Sequence, residues 1–241
     1  MIHKIIHYCW LSCDSYPEKI QYCISTWKKK LPDYDIVLWD TNKFPMNHSQ
    51  WVKEAFEQKK YAFAADYIRL YAVYNYGGIY LDSDIEVIKS FNDLLDLPYF
   101  VGYEAFDGRV ECAAFGAEKG IPWIKECLDY YENRHFIKEN GEFDQEVMPS
   151  VVYKVTSKKY KIKSIKNIDE FESNSKTLNI LPVDWFCARK FSQTNKTNDS
   201  YVISPNSYCV HHFAHSWIKV NKLKLFIKNI LLKFGLYKPH K

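Results

Sequence analysis

Apolar and polar positions along the chain follow two periods, and the switches between them lay out a strand, helix, strand order at the start. Residues 2–10 (IHKIIHYCW) hold β-branched and aromatic side chains in a short run closed by the turn-forming stretch 12–17, which predicts a buried strand. Residues 17–29 predict a helix: Pro17 stands in its first turn, and lysines gather at its end, where the helix dipole favours cations. Leu31-Pro32-Asp33 breaks it, and residues 35–39 (DIVLW) predict a second strand, so the opening unit is a parallel α/β one.

Helical spacing returns over 50–57 and 61–75 and stops at Gly77-Gly78, where glycine can take the left-handed cap conformation. Residues 79–82 predict a strand that ends on carboxylates, 99–103 and 110–115 predict further strands, and 121–132 an amphipathic helix. The expected architecture is α/β and Rossmann-like: one domain over residues 1–217 with a mixed, mostly parallel central sheet and helices on both sides. Over 134–179 the pattern loosens around short apolar runs such as Val151-Val152-Tyr153, which marks a variable, acceptor-side region. Residues 193–200 (QTNKTNDS) are expected to form a polar, mobile loop.

Beyond residue 217 the chain reads WIKVNKLKLFIKNILLKFGLYKPHK from Trp217 on, with lysines throughout and no acid. Val220, Leu223, Phe226, Ile227, Ile230, Leu231 and Phe234 recur at helical spacing, so residues 218–241 predict a helix with one apolar face and a basic rim. Such a helix suits an anionic membrane interface, or else packs on the domain or in a dimer.

A chain of 241 residues fits one sizeable α/β domain. It is 47% hydrophobic and 26% charged, as globular chains are, and its 19 Tyr and 7 Trp supply rings for a ligand groove. A net charge of +4 with no basic stripe before the C-terminus argues against nucleic-acid binding. Seven cysteines without CxxC spacing favour reduced thiols and a cytoplasmic setting over a disulfide framework or a zinc site. The first ten residues are interrupted by His3, Lys4 and His7, unlike a signal peptide, and nothing approaches the ~20 apolar residues of a membrane span. A soluble protein, or one resting on the cytoplasmic face of a membrane, is expected.

The chemistry concentrates in residues 61–87, YAFAADYIRLYAVYNYGGIYLDSDIEV. Asp66 and Arg69 are three apart on the predicted helix and share a face. Asp82 and Asp84 fall on the same side of an extended chain. Paired carboxylates make a hard oxygen site for Mn²⁺ or Mg²⁺, ions that bind through one or two carboxylates plus substrate phosphates. Asp-x-Asp is also common in surface turns, and an Asp and Arg on one helix face commonly form a solvated ion pair. Order sets this case apart: helix, glycine turn, apolar strand, then carboxylates at the strand end, where α/β ligand sites lie.

The run from Ala65 to Val87, ADYIRLYAVYNYGGIYLDSDIEV, resembles the DXD-containing sugar-binding region of the family 32 glycosyltransferases. That family includes yeast-type initiating mannosyltransferases and bacterial capsular polysaccharide enzymes, and large clostridial glucosylating toxins share its core. KIIHYCW near the N-terminus, the segment 25–34 (STWKKKLPDY) and HHFAHSW at 211–217 are similar to bacterial members. The resemblance implies a GT-A fold, a nucleotide-sugar donor (a UDP-sugar before a GDP-sugar), a divalent metal and a retaining transfer.

By the same resemblance, Trp10 faces the nucleotide base with His7 and Tyr8 beside it; a core aromatic is the plainer reading of Trp10. Asp66 and Arg69 bind the donor sugar and its diphosphate, Asp82 and Asp84 hold the metal, and Gly78 and Ser83 join the donor contacts. The family's closing segment commonly reads Ala-Gly-Ser-Trp, and here His215 stands where glycine is usual. His212 is the expected third metal ligand, with His215 as the alternative, and Ser216 and Trp217 close over the diphosphate. Glu104, Asp107, Asp144 and Glu146 could approach an acceptor, but surface carboxylates are the default and none is assigned as a nucleophile or base. The expected acceptor is a saccharide, lipid-linked, in capsular or cell-surface polysaccharide synthesis; a protein acceptor, as for a toxin, and a binding module without catalysis are the alternatives.

Overall fold

The computed structural model describes residues 1–104, 109–190, 200–201 and 203–214. The chain enters through β1 (Ile5–Cys9), α1 (Glu18–Lys30) and β2 (Asp35–Trp39), and β1 and β2 pair in parallel from Ile5 opposite Asp35 to Cys9 opposite Trp39. Glu18 opens α1 and Lys28, Lys29 and Lys30 close it, each complementing the helix dipole. α2 (Gln50–Glu57) is capped by Ser49, whose side chain accepts from the Val52 N–H. α3 (Tyr61–Tyr76) ends on Gly77 at φ 66° and passes directly into β3 (Gly78–Leu81), buried along its whole length. β4 (Ile85–Val87), β5 (Tyr99–Phe100), β6 (Ala114–Ala117) and α4 (Pro122–Tyr131) follow.

The central sheet has the order β2-β1-β3-β6-β5. The first three strands are parallel, β6 is antiparallel to β3, and β5 is antiparallel to β6. Four of the five therefore run in one direction, the mixed, mostly parallel sheet expected. Its two faces are both covered. Ile79 and Leu81 of β3 point into a cluster with Ile20, Ile24 and Trp27 of α1, while Tyr80 points into one with Val52 of α2, Ile68 of α3 and Trp123 of α4.

Some boundaries differ from the pattern. The first strand is Ile5–Cys9, shorter than 2–10. The strand expected at 110–115 lies at Ala114–Ala117, and Val110 instead makes an isolated antiparallel bridge with Tyr103. The loose region holds α5 (Met148–Thr156) and a parallel pair, β7 (Lys161–Ser164) and β8 (Thr177–Ile180). Then come α6 (Val183–Phe186), the antiparallel pair β9 (Arg189–Lys190) and β10 (Ser200–Tyr201), and β11 (Cys209–His211), which pairs antiparallel with β4. Most of the loop expected at 193–200 and all of the helix expected at 218–241 lie outside the described residues. Among the described residues, no helix is long and apolar enough to cross a membrane.

Candidate active site

The sheet order places β1 between β2 and β3, so the connections leaving β1 and β3 diverge and open a crevice at their C-terminal ends. A cavity of about 360 Å³ lies there, floored by Cys9 to Ser12 after β1 and Asp82 to Asp84 after β3. Tyr61, Ala62, Ala65 and Arg69 of α3 form one wall; Glu104, Arg109, Val147, Pro149, His211 and Phe213 complete it.

Arg69 ties the helix to the strand. Its Nη2 lies 3.1 Å from Asp66 Oδ1 and 3.3 Å from Asp82 Oδ1, its Nη1 donates to the Cys112 carbonyl at 2.8 Å, and its guanidinium carbon sits 4.7 Å from the centre of the Tyr80 ring. A planar fork reaches these partners together, which a lysine could not do. Tyr80 donates to Asp82 Oδ1 at 2.8 Å, so Asp82 is held from two sides. Burial pushes the Asp66 carboxyl up to about 7 and raises Asp82 as well, while Arg69 pulls both back toward the charged form. Asp66 lies behind Arg69 and does not line the cavity; its reach to a donor runs through the guanidinium.

β11 brings the third partner. Its register sets His211 opposite Ile85, the residue after Asp84. His211 Nε2 lies 3.6 Å from Asp84 Oδ1, and ligand atoms of Asp82, Asp84 and His211 all fall within 4.8 Å of one another. Ala214 N–H donates to Asp84 Oδ2 at 2.7 Å, which clamps the second carboxylate. Burial disfavours a charged His211, but Glu111, Asp84 and Asp82 outweigh it and lift the imidazole to about 9. Two carboxylates and an imidazole are a donor set that fits a divalent ion such as Mn²⁺.

His212, the expected third ligand, stands elsewhere. Its backbone N–H donates to the Asp84 carbonyl at 3.2 Å, and its Nε2 is 2.9 Å from Glu86 Oε2, because successive side chains of an extended chain leave on opposite sides. His7, Tyr8 and Gly78 are likewise away from the cavity. His7 is a core residue, 1% exposed, between Trp39 and the Gly77 carbonyl. Tyr8 packs edge-on to Trp27 on the other face of β1 and shares a 3.1 Å hydrogen bond with Tyr16. Gly78 opens β3, at the end of the strand opposite to the carboxylates.

Trp10 and Ser83 do line the cavity. Trp10 is half-buried, and its Nε1 donates to the Asp14 carbonyl at 2.8 Å, which presents the ring at the rim. Glu104 is in the wall, 3.5 Å from Arg109 Nε. Asp144 is bound to Arg134 Nε at 2.9 Å, and Glu146 lies beside Lys154 at 3.3 Å, so neither lines the cavity. Asp107, His215, Ser216 and Trp217 lie outside the described residues. Sequence reasoning missed His211, Arg109 and Tyr61; the His211-His212 pair was its signal for the first, and strand register alone separates the two.

Residues 17–101 match the family model described as the glycosyltransferase sugar-binding region containing a DXD motif. Inositol phosphoceramide mannosyltransferase 3 of Schizosaccharomyces pombe is 31% identical over 131 residues, which cover 53% of this chain and 36% of that protein. Mannosyl phosphorylinositol ceramide synthase SUR1 of Saccharomyces cerevisiae is 32% identical over 108 residues, 42% of this chain and 27% of that one. The chain therefore spans about a third of the length of these curated relatives. Among solved structures, the PaToxG glycosyltransferase superimposes with a TM-score of 0.50 at 22% identity, covering 65% of this chain and 68% of that one. This likeness shows the fold, and it is the GT-A fold.

Proposed function

Since residues 17–101 belong to the glycosyltransferase sugar-binding regions that contain a DXD motif, we propose that the chain is a metal-dependent, retaining glycosyltransferase that takes a hexose from a nucleotide-sugar. The observation that carries this reading is the convergence of Asp82, Asp84 and His211 within 4.8 Å on the floor of a crevice walled by Arg69. These three residues would hold Mn²⁺ or Mg²⁺, which supplies Lewis-acid neutralisation of the departing nucleoside diphosphate.

The chain's own groups do the rest. Asp82 enters the site already oriented by Arg69 and Tyr80, so no rotamer search precedes donor binding. Arg69 faces the cavity with fixed positive charge where a diphosphate would lie. Trp10 offers a ring at the rim for the base, and Ser83, between the two aspartates in sequence, lines the cavity with them. Glu104 and Arg109 form the wall on the side left for the sugar and its acceptor. No side chain is assigned as nucleophile: in a front-face transfer, the leaving phosphate takes the acceptor's proton.

The proposed donor is a UDP-hexose; the mannosyl transfer named for the two fungal relatives makes a mannosyl donor its competitor. The proposed acceptor is a lipid-linked saccharide in cell-surface polysaccharide synthesis, and the ceramide-based acceptors in those relatives' names support a lipid-borne one. A panel of nucleotide-sugars with Mn²⁺, scored for thermal stabilisation and slow donor hydrolysis, tests the proposal. One donor should raise the melting temperature and be hydrolysed, and Asp84→Asn should cut turnover by about 100-fold or more. No shift with any donor, or full turnover in Asp84→Asn, overturns it.

A further inference from the structure

His211 has two nitrogens with different surroundings. Nε2 faces Asp84 Oδ1 at 3.6 Å, and Nδ1 faces Glu111 Oε2 at 3.3 Å. Glu111 is 2% exposed and does not line the cavity, so it meets no substrate. It is itself fixed: its Oε1 accepts the Ala113 N–H at 2.8 Å, and its own N–H donates to the Gly102 carbonyl at 2.8 Å. The Phe213 ring stacks on the imidazole at 3.7 Å between centroids and 23° between planes, which fixes the ring's plane as Glu111 fixes its rotation.

A buried carboxylate is costly unless it is paired and hydrogen-bonded, and Glu111 meets that condition through His211 and the Ala113 N–H. A carboxylate on the far nitrogen of a ligating histidine holds the proton on that nitrogen, aims the other lone pair and raises its basicity. We propose that Glu111 is a positioning residue that keeps the His211 proton on Nδ1 and so directs Nε2 at the Asp82–Asp84 pair. This rests on the reading of Asp82, Asp84 and His211 as the metal site. An ordinary buried ion pair would stabilise the fold equally well but would leave metal affinity and histidine ligation unaffected by its loss.

The test uses the full chain and Mn²⁺ alone, with free Mn²⁺ titrated by electron paramagnetic resonance and directly bound histidine detected by ¹⁴N modulation in the pulsed experiment. The unaltered protein should bind Mn²⁺ with ¹⁴N modulation. Glu111→Gln, close in size, should weaken Mn²⁺ binding about 10- to 100-fold and diminish the ¹⁴N modulation. Should Glu111→Gln fail to fold, Glu111→Asp is measured with the same two readouts. Asp84→Asn tests the underlying site separately: if it binds Mn²⁺ as well as the unaltered protein, the metal-site reading falls. If Asp84→Asn weakens binding while the Glu111 variant keeps both affinity and ¹⁴N modulation, the site stands and the role of Glu111 is overturned.

Discussion

Trp39 donates its indole N–H to His7 Nδ1 at 3.1 Å, and the opposite ring nitrogen of His7 sits 2.8 Å from the Gly77 carbonyl. Only a neutral imidazole protonated on Nε2 satisfies both partners. Burial holds His7 at about 4, well below its ordinary 6.5. A histidine depressed in the folded state contributes stability that is fully present above the unfolded value and is lost as pH falls through the folded one. The window here is therefore pH 6.5 down to 4. The difference corresponds to about 3 kcal/mol. His7→Gln, which can offer one donor and one acceptor, should flatten that part of the pH dependence in denaturant unfolding. Parallel losses of stability in both proteins across this window would refute the assignment. The same residue shows what escapes sequence reading: a histidine beside Trp10 looks like a donor contact until strand alternation turns it into the core.

Among the elements, the passage from α3 into β3 is the tightest. Gly77 has φ 66° and Gly78 φ 107°, and a Cβ added at Gly78 would stand 2.7 Å from the Ile5 carbonyl oxygen. The glycines thus let β3 start hard against β1, which sets the depth at which Leu81 ends and Asp82 begins. Gly78→Ala should cost roughly 2 kcal/mol through strain and the clash, lowering the melting temperature by several degrees. Because Gly78 is a strand's length from the cavity, donor affinity in the folded protein should be kept; a selective loss of donor binding without loss of stability would show that Gly78 touches the donor after all. β2, α2 and the start of α3 were legible to the residue, since the breaks at Pro32 and Pro45 and the apolar periodicity agree there. α5, β7 and β8 were not: α5 shows only the short apolar run Val151-Val152-Tyr153 within a charged and polar region, β7 and β8 have four residues each, and in β7 the end residues are exposed. In the site, Asp82, Asp84 and Arg69 could be read from local order. His211 could not, because its place depends on how β11 registers with β4 more than a hundred residues earlier.

At the scale of the whole molecule, the donor half of the site and the acceptor half have different supports. The groups that converge on Asp82 are Arg69 of α3, Tyr80 of β3, His211 of β11 and the Ala113 carbonyl just before β6, all on elements tied to the sheet or to β4. Besides the names of the fungal relatives, the support for a lipid-borne acceptor in this chain is the sequence of residues 218–241, which lie outside the described residues. Lys219, Lys222, Lys224, Lys228, Lys233, Lys238 and Lys241 carry positive charge with no acid among them. Each lysine near an anionic surface is worth about 1 kcal/mol, and the apolar residues at helical spacing add a hydrophobic contribution that salt does not screen. A lipid-linked acceptor would then be met at the membrane surface, with the tail raising its local concentration. Flotation with anionic liposomes should carry the full chain upward and leave a chain ending at residue 217 behind, and added salt should weaken the binding without abolishing it. If both forms stay down alike, the tail is a packing element and the lipid-borne acceptor loses its main physical support in this chain, while the donor site, tested by Mn²⁺ and nucleotide-sugars, remains unaffected.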